Sequence, residues 1–179
     1  MPRPTAGGLA LIGPRGTGKT TVGRLVAGAT GRPFVDADRA LEGRAGRSIA
    51  AIFAQAGEPA FRDLEEATLR DLVGRAGAVL ATGGGVVLRE VNRDALRRFG
   101  FVVWLTADPA ALADRLARDP ADRPSLTGLG TIAEVAAVLE ARAPLYRATA
   151  DAVVATDGLD PEAVARKVLD AWREGGLAP

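Results

Sequence analysis

The stretch GPRGTGKT, residues 13–20, puts Gly13, Gly18, Lys19 and Thr20 on the spacing G-x-x-x-x-G-K-[ST]. It follows the apolar run GLALI and leads into an amphipathic stretch, so it stands where a buried strand becomes a helix. Glycine loses more freedom on folding than any other residue, so a loop this rich in it must hold something an ordinary turn does not. Backbone N–H groups with no side chains between them can curl around an anion. The helix that follows adds the partial positive charge of its N-terminus. Lys19 can reach the outer phosphates of a nucleoside triphosphate, and the Thr20 hydroxyl can join a Mg2+ shell. The expected ATP-binding residues here are Gly13, Arg15, Gly16, Thr17, Gly18, Lys19, Thr20 and Thr21. No N-K-x-D run for guanine is present, which favours ATP as the nucleotide.

The remaining chemistry is bounded by what the chain lacks. It has no histidine and no cysteine, which excludes a His base, a His triad, thiolate or His-ligated metal and disulfides. Acid–base work falls to carboxylates, lysine or water. Lys19 and Lys167 are the two lysines among 23 basic residues. With 22 acidic residues the net charge is +1, so bulk charge gives no support for a nucleic-acid partner. No apolar stretch approaches the roughly 20 residues of a bilayer span. The opening MPRPTAGG lacks the apolar core of a signal peptide, so the cytoplasm is the expected location, with no membrane partner.

Several further residues stand at expected strand ends or in loops. Asp36 and Asp38 lie two apart in RPFVDAD, read as a strand, and so should share a face. No acid ends the third strand, AVLATGGG, so Asp36 is the substitute for the usual metal-linked aspartate. Asp38 also suits helix N-capping. Arg62 can form a surface pair with Glu65 or Glu66 at i,i+3 or i,i+4. Gly83, Gly84 and Gly85 read equally as a turn or as a place where backbone N–H groups meet a ligand closely. Arg123 lies in DPADRPSLTGLG, residues 119–130, a polar and turn-rich stretch expected to act as a mobile lid. A lid arginine can fold over the β,γ-phosphates; the plainer reading is a solvated charge.

These residues need a scaffold that brings distant loops to one edge. LALIG, RPFVDAD, AVLATGGG, GFVVWLTA and DAVVAT read as five apolar strands separated by helices. Ser48 is an expected N-cap, Pro59 stands in the first turn of a long helix, and Asp-Pro pairs open two others. The pattern predicts an α/β fold, a five-stranded parallel sheet with helices on both faces. At 179 residues the chain reads as one domain, residues 1–179, and a monomer. Such folds place ligands at the carboxyl edge of the sheet.

FVDAD, RSIAAIF, GEPAFRDLEE, GGG, DRPSLTG and RAPLYRATAD occur in the order and at the spacing of the shikimate kinases, and the chain resembles that family from the phosphate loop to about Pro161. The resemblance implies the P-loop fold of the nucleoside-monophosphate-kinase type, strand order 2-3-1-4-5. It implies transfer of the γ-phosphoryl of ATP to the 3-hydroxyl of shikimate, giving shikimate 3-phosphate and ADP, on the route to chorismate and the aromatic amino acids. ATP and Mg2+ are the implied cofactors and shikimate the small-molecule partner. Asp36 would act on the Mg2+ shell through water. Asp38 would bond the acceptor hydroxyl, as base or as guide. Arg62 and Arg142 would grip the substrate carboxylate, with Arg147 the lesser alternative. The glycine triplet would meet the substrate in a binding segment of about 37–62, and Arg123 would serve catalysis from the lid. Arg115 matches an adenine-stacking arginine, against a plain surface charge; Pro161 would border adenine, against an ordinary helix start. The family's lid reads Arg-Pro-Leu-Leu where this chain has RPSL.

Two competing readings are another small-molecule kinase on the same scaffold, such as a gluconate or nucleotide kinase, and an ATP-dependent binding module without acceptor chemistry. The trio Asp38, Arg62 and Arg142 separates shikimate from both.

Overall fold

The computed structural model describes residues 7–118 and 132–175. Arg123 and the expected lid, about 119–130, lie outside the described residues.

Five strands form one parallel sheet in the order β2-β3-β1-β4-β5, as expected. They are β1 (Gly8–Ile12), β2 (Phe34–Asp36), β3 (Val79–Ala81), β4 (Gly100–Thr106) and β5 (Ala152–Ala155). In the centre, Leu9 of β1 sits in register with Val79 of β3 on one side and Phe101 of β4 on the other. The near-continuous apolar character of the strands follows from their cover on both faces. Alternate residues supply alternate cores. Leu9, Leu11, Phe101, Val103 and Leu105 face α1 (Lys19–Thr30) and α7 (Pro161–Glu174), where Val22, Val26, Val168 and Trp172 are buried. Ala10, Ile12, Val102 and Trp104 face α3 (Ile49–Leu72), α4 (Glu90–Phe99) and α6 (Ile132–Thr149), with Leu69, Leu96 and Tyr146. A third, smaller cluster joins Leu41 of α2 (Ala37–Ala45) to Ile49, Ile52 and Phe61 of α3. The remaining helix is α5 (Pro109–Ala117).

The helix ends follow local chemistry. Ser48, Asp108 and Asp160 cap α3, α5 and α7 through their side chains. Helix α3 is broken at Gly57, whose φ of 77° and ψ of 176° no side chain favours, so the two helices read on either side of it run together across a kink. Strand β2 is shorter than the sequence reading: it stops at Asp36, and Asp38 falls in the first turn of α2. Asp38 and Asp36 therefore do not share a strand face. The cap that Asp38 suited is Asp36, whose Oδ1 accepts from the N–H groups of Asp38 at 3.1 Å and Arg39 at 3.2 Å.

Because all strands run the same way, every strand ends at one edge. Strand β3 lies between β1 and β2, so the loop after β3 must pass between the loops after β1 and β2. That single fact of topology places the glycine triplet between the phosphate loop and the Asp36–Asp38 turn.

Close packing of β1 on β4 uses two glycines: a Cβ on Gly100 would lie 2.0 Å from the carbonyl oxygen of Gly8. In contrast, a Cβ on Gly28 within α1 meets nothing within 4 Å. Gly28→Ala is expected to stabilise the fold by up to about 1 kcal/mol through helix propensity and a less free unfolded chain. Gly100→Ala is expected to destabilise it by more than that, about 1–3 kcal/mol or beyond, by forcing strands apart. Urea unfolding of the two variants checks both signs.

Candidate functional site

The phosphate loop runs from Gly13 to Gly18, between β1 and α1. Gly16 and Gly18 both have φ of 84°, a left-handed conformation that favours glycine. Gly13 is held by space as well: a Cβ there would come within 2.2 Å of the Leu105 carbonyl oxygen. Helix α1 starts after Gly18 with no side-chain cap, so no side chain caps its first N–H groups. Lys19 is buried and its Nζ donates to the carbonyls of Gly13 and Pro14, both at 2.8 Å. Its ammonium is thus folded over the loop. Thr17 braces the loop from inside, its Oγ1 donating to the Pro14 carbonyl at 2.9 Å. Arg15 is half-buried, and Thr21 stands exposed on the first turn of α1.

Thr20 and Asp36 meet at the loop's lip. The Thr20 hydroxyl donates to Asp36 Oδ2 at 2.8 Å, while Oδ1 of the same carboxylate caps α2. One side chain thus ties the start of α1 to the start of α2. A hydroxyl beside a carboxylate is the hard-oxygen chemistry that Mg2+ takes, with phosphate and water completing the shell. A glycine cradle, an uncapped helix start and a buried ammonium likewise fit a triphosphate.

The glycine triplet begins where β3 ends. Thr82 fastens it to the end of β1, its N–H and Oγ1 both donating to the Leu11 carbonyl, at 3.2 Å and 2.9 Å. Each glycine then faces a different neighbour. A Cβ on Gly83 would lie 2.8 Å from Asp38 Oδ1 and 3.1 Å from Glu65 Oε1. One on Gly84 would lie 3.4 Å from the backbone nitrogen of Arg15 in the phosphate loop. One on Gly85 would strike the Arg62 guanidinium at 2.3 Å. None of the three has φ between +20° and +160°, so space is the reason for glycine here. The triplet is a turn packed against the acidic side chains of Asp38 and Glu65, the phosphate loop and the Arg62 guanidinium.

Arg62 is buried in an arrangement of its own helix. Its Nη1 donates to Glu65 Oε2 at 2.7 Å; its Nε and Nη2 donate to Glu58 Oε1 at 3.2 and 3.0 Å. The partner expected at i+4, Glu66, instead pairs with Arg70 and Arg89. Glu65 is also buried, at 7% exposure, and among the described residues its Oε1 has no hydrogen-bond partner. Burial pushes its carboxyl above the usual range; Arg62 beside it pulls the other way without overcoming that. From α6, Arg142 Nη1 donates to the Gly84 carbonyl at 3.3 Å. The two arginines therefore approach consecutive glycines, and Asp38 approaches the glycine before them. Arg147, the lesser alternative, lies over the Trp104 ring, 5.6 Å from its centroid.

Arg115 is a latch on the phosphate loop. Its guanidinium donates to the Gly16 carbonyl at 3.1 Å and to Thr156 Oγ1 at 3.0 Å. It is half-buried, which displaces the plain surface-charge reading. Pro161 stands at the first turn of α7, with Asp160 as the cap before it.

Sequence reasoning missed Glu58, Thr82 and Tyr146, and read Glu65 only as a surface partner of Arg62. The i,i+4 spacing from Glu58 to Arg62 was the local signal for the first. Thr82 and Tyr146 act across 71 and 62 residues and left no local signal.

The comparisons agree with this geometry. The family model for shikimate kinase matches residues 15–173. The shikimate kinase of Symbiobacterium thermophilum is 44% identical over 173 residues, covering 94% of this chain and 97% of that protein. That of Pseudomonas putida is 45% identical over 166 residues, covering 93% and 96%. Among solved structures, the shikimate kinase from Acinetobacter baumannii in complex with shikimate has a TM-score of 0.89 at 36% identity, covering 94% of this chain and 93% of that one. With the phosphate loop, the glycine triplet and the paired arginines at one sheet edge, the chain belongs to the shikimate kinase family.

Proposed function

We propose that the chain transfers the γ-phosphoryl of ATP to the 3-hydroxyl of shikimate, giving shikimate 3-phosphate and ADP, with the donor in the phosphate loop and the acceptor against the glycine triplet. The observation that carries this reading is the convergence of Asp38, Arg62 and Arg142 on Gly83, Gly84 and Gly85, whose middle member packs against the phosphate loop. The Acinetobacter relative holds shikimate, which supports a small organic acid as acceptor.

Gly16, Gly18 and the start of α1 offer N–H groups to the phosphates, and Lys19 turns its ammonium from the loop carbonyls to the outer phosphates. Arg115 keeps the loop from opening away from β5. Mg2+, held by Thr20 and through water by Asp36, would neutralise charge on the β- and γ-phosphates. Arg62 and Arg142 present planar forks to the acceptor's carboxylate, which lysine cannot match in two parallel bonds. Asp38 accepts a hydrogen bond from the acceptor hydroxyl and aims it at phosphorus. A loose phosphoryl transfer asks little of a base, so aiming is its main contribution. As the new oxygen–phosphorus bond forms, the bridge to the β-phosphate breaks, ADP leaves with the electron pair, and the hydroxyl proton passes to Asp38 and on to water. Arg123, from the segment about 119–130, supplies charge to the transferring group and shields it from water. The acceptor segment is about 37–62, in a single domain acting as a monomer in the cytoplasm. Among the described residues no helix is long and apolar enough to cross a membrane.

A coupled ADP-release assay over a panel of acceptors tests the reading. Shikimate should be turned over well above gluconate and nucleoside monophosphates; ADP release no faster than with buffer overturns it. In the same assay Arg62→Lys is expected to raise the KM for shikimate roughly 10–100-fold, the worth of one or two lost charge-assisted bonds. The KM for ATP should stay within about threefold, since the arginine bears on the acceptor side. The lysine variant is chosen over alanine because stripping all charge from a buried pair can cost about 3–5 kcal/mol of stability.

The Glu65 carboxyl gives a pH signature. Burial raises its folded-state pKa above the ordinary glutamate value, so the folded protein holds that proton more tightly than the unfolded chain does. The contribution to stability is present at acid pH and is lost as pH rises through the raised value. Glu65→Gln is therefore expected to gain on the parent protein as pH is raised above about 4.5, measured by urea unfolding across the pH range.

A further inference from the structure

Tyr146 has no part in the chemistry above, yet it is fully buried and touches the site. Its hydroxyl donates to the Gly84 carbonyl, the same oxygen that Arg142 Nη1 reaches at 3.3 Å. Arg142 and Tyr146 stand one helical turn apart on α6, so they share a face. The tyrosine ring is stacked on Trp104 of β4, with centroids 5.5 Å apart and planes 24° apart. Trp104 in turn lies beside the phosphate loop, 3.3 Å from where a Cβ on Gly13 would stand. Burial pushes the phenol up to about 12, so it remains a donor at every working pH.

We propose that Tyr146 is a positioning residue for the acceptor site, keeping Arg142 available to the substrate carboxylate by fixing the Gly84–Gly85 peptide. This rests on the clamp role given to Arg142 above. A carbonyl oxygen has two lone pairs. With the phenol on one of them, Gly84 draws on Arg142 through a long, weak contact. Without the phenol, the half-buried carbonyl lacks its strong donor, and the guanidinium is the group at hand to replace it. The substrate carboxylate then competes with the protein's own backbone for the same fork. The phenol also fixes direction. In a trans peptide the C=O and the following N–H point opposite ways, so holding the Gly84 carbonyl toward α6 turns the Gly85 N–H away from α6.

The test is steady-state kinetics of the full-length enzyme. Tyr146→Phe keeps the ring and its stack and removes only the hydroxyl. It is expected to raise the KM for shikimate by several-fold to about tenfold, with kcat and the KM for ATP within about twofold. A purely structural tyrosine would instead move both KM values together with the unfolding midpoint, and that result overturns the proposal. In the double variant with Arg142→Lys, the shikimate KM should be no higher than in Arg142→Lys alone, because the tyrosine acts through the arginine; full additivity overturns it. A raised KM in Arg142→Lys with an unchanged one in Tyr146→Phe removes this inference alone. An unchanged KM in Arg142→Lys removes the clamp reading and this inference with it. Tyr146 is the chain's one tyrosine, so uniform 3-fluorotyrosine labelling reports on it alone even if the phenylalanine variant folds poorly. The fluorine resonance should shift on saturation with shikimate; a resonance that stays in place overturns the proposal.

Discussion

The site depends on one close approach: bare backbone after β3 lying against bare backbone after β1. At Gly84 a methyl group would stand only 3.4 Å from the Arg15 nitrogen. The proposed donor loop and the proposed acceptor loop are thus separated by little more than a van der Waals contact. A phosphoryl group moves between reactants held at near-contact distance, and such positioning is a large share of what an enzyme contributes. The sheet order sets this approach, because β3 is the strand between β1 and β2. Thr82 then fixes its height by bonding twice to the Leu11 carbonyl.

Around that contact the charges are arranged in opposition. Groups suited to an anion line the phosphate loop, while Asp36 and Asp38 stand at the β2 end and the turn after it. Left alone, those carboxylates would repel a triphosphate. Asp36 spends its oxygens on Thr20 and on the α2 N–H groups, which moderates its charge and makes it structural as well as chemical. Arg62 is the converse case. It is a buried cation already paired to Glu58 and Glu65, and a buried pair of this kind is retained for geometry more than for stability. Both charged groups are held in place before any ligand arrives, which lowers the ordering cost of binding.

Local features were the legible ones. The phosphate loop, the caps at Ser48 and Asp160 and the strand order follow from spacing, from capping chemistry or from a family pattern that spans the chain. The break at Gly57 was legible as a boundary between two helices, although the kink that joins them was not. Asp38 was placed on a strand because a hydrophobic run does not announce the residue at which it turns. That residue was Asp36, and its side chain makes the turn by bonding the next N–H groups. For Arg62 the correct neighbours lay within one turn, but spacing alone does not tell a buried pair from a solvated one. Tyr146 read as part of a helix, since its partner on Gly84 is set by packing between α6 and the sheet edge.

The break in α3 bends one helix without dividing its labour. Both sides of the break contribute to the small core shared with Leu41 of α2: Ile49 and Ile52 before Gly57, and Phe61 after it. Glu58, Arg62 and Glu65 complete one another within the stretch that follows the break. The Arg62 ion pairs and the small core are therefore joined through Phe61, whose ring lies under the Arg62 guanidinium, 5.0 Å from ring centroid to Cζ. A change in that core, made by a lineage or by a protein engineer, would therefore reach the Arg62 side chain through the Phe61 ring.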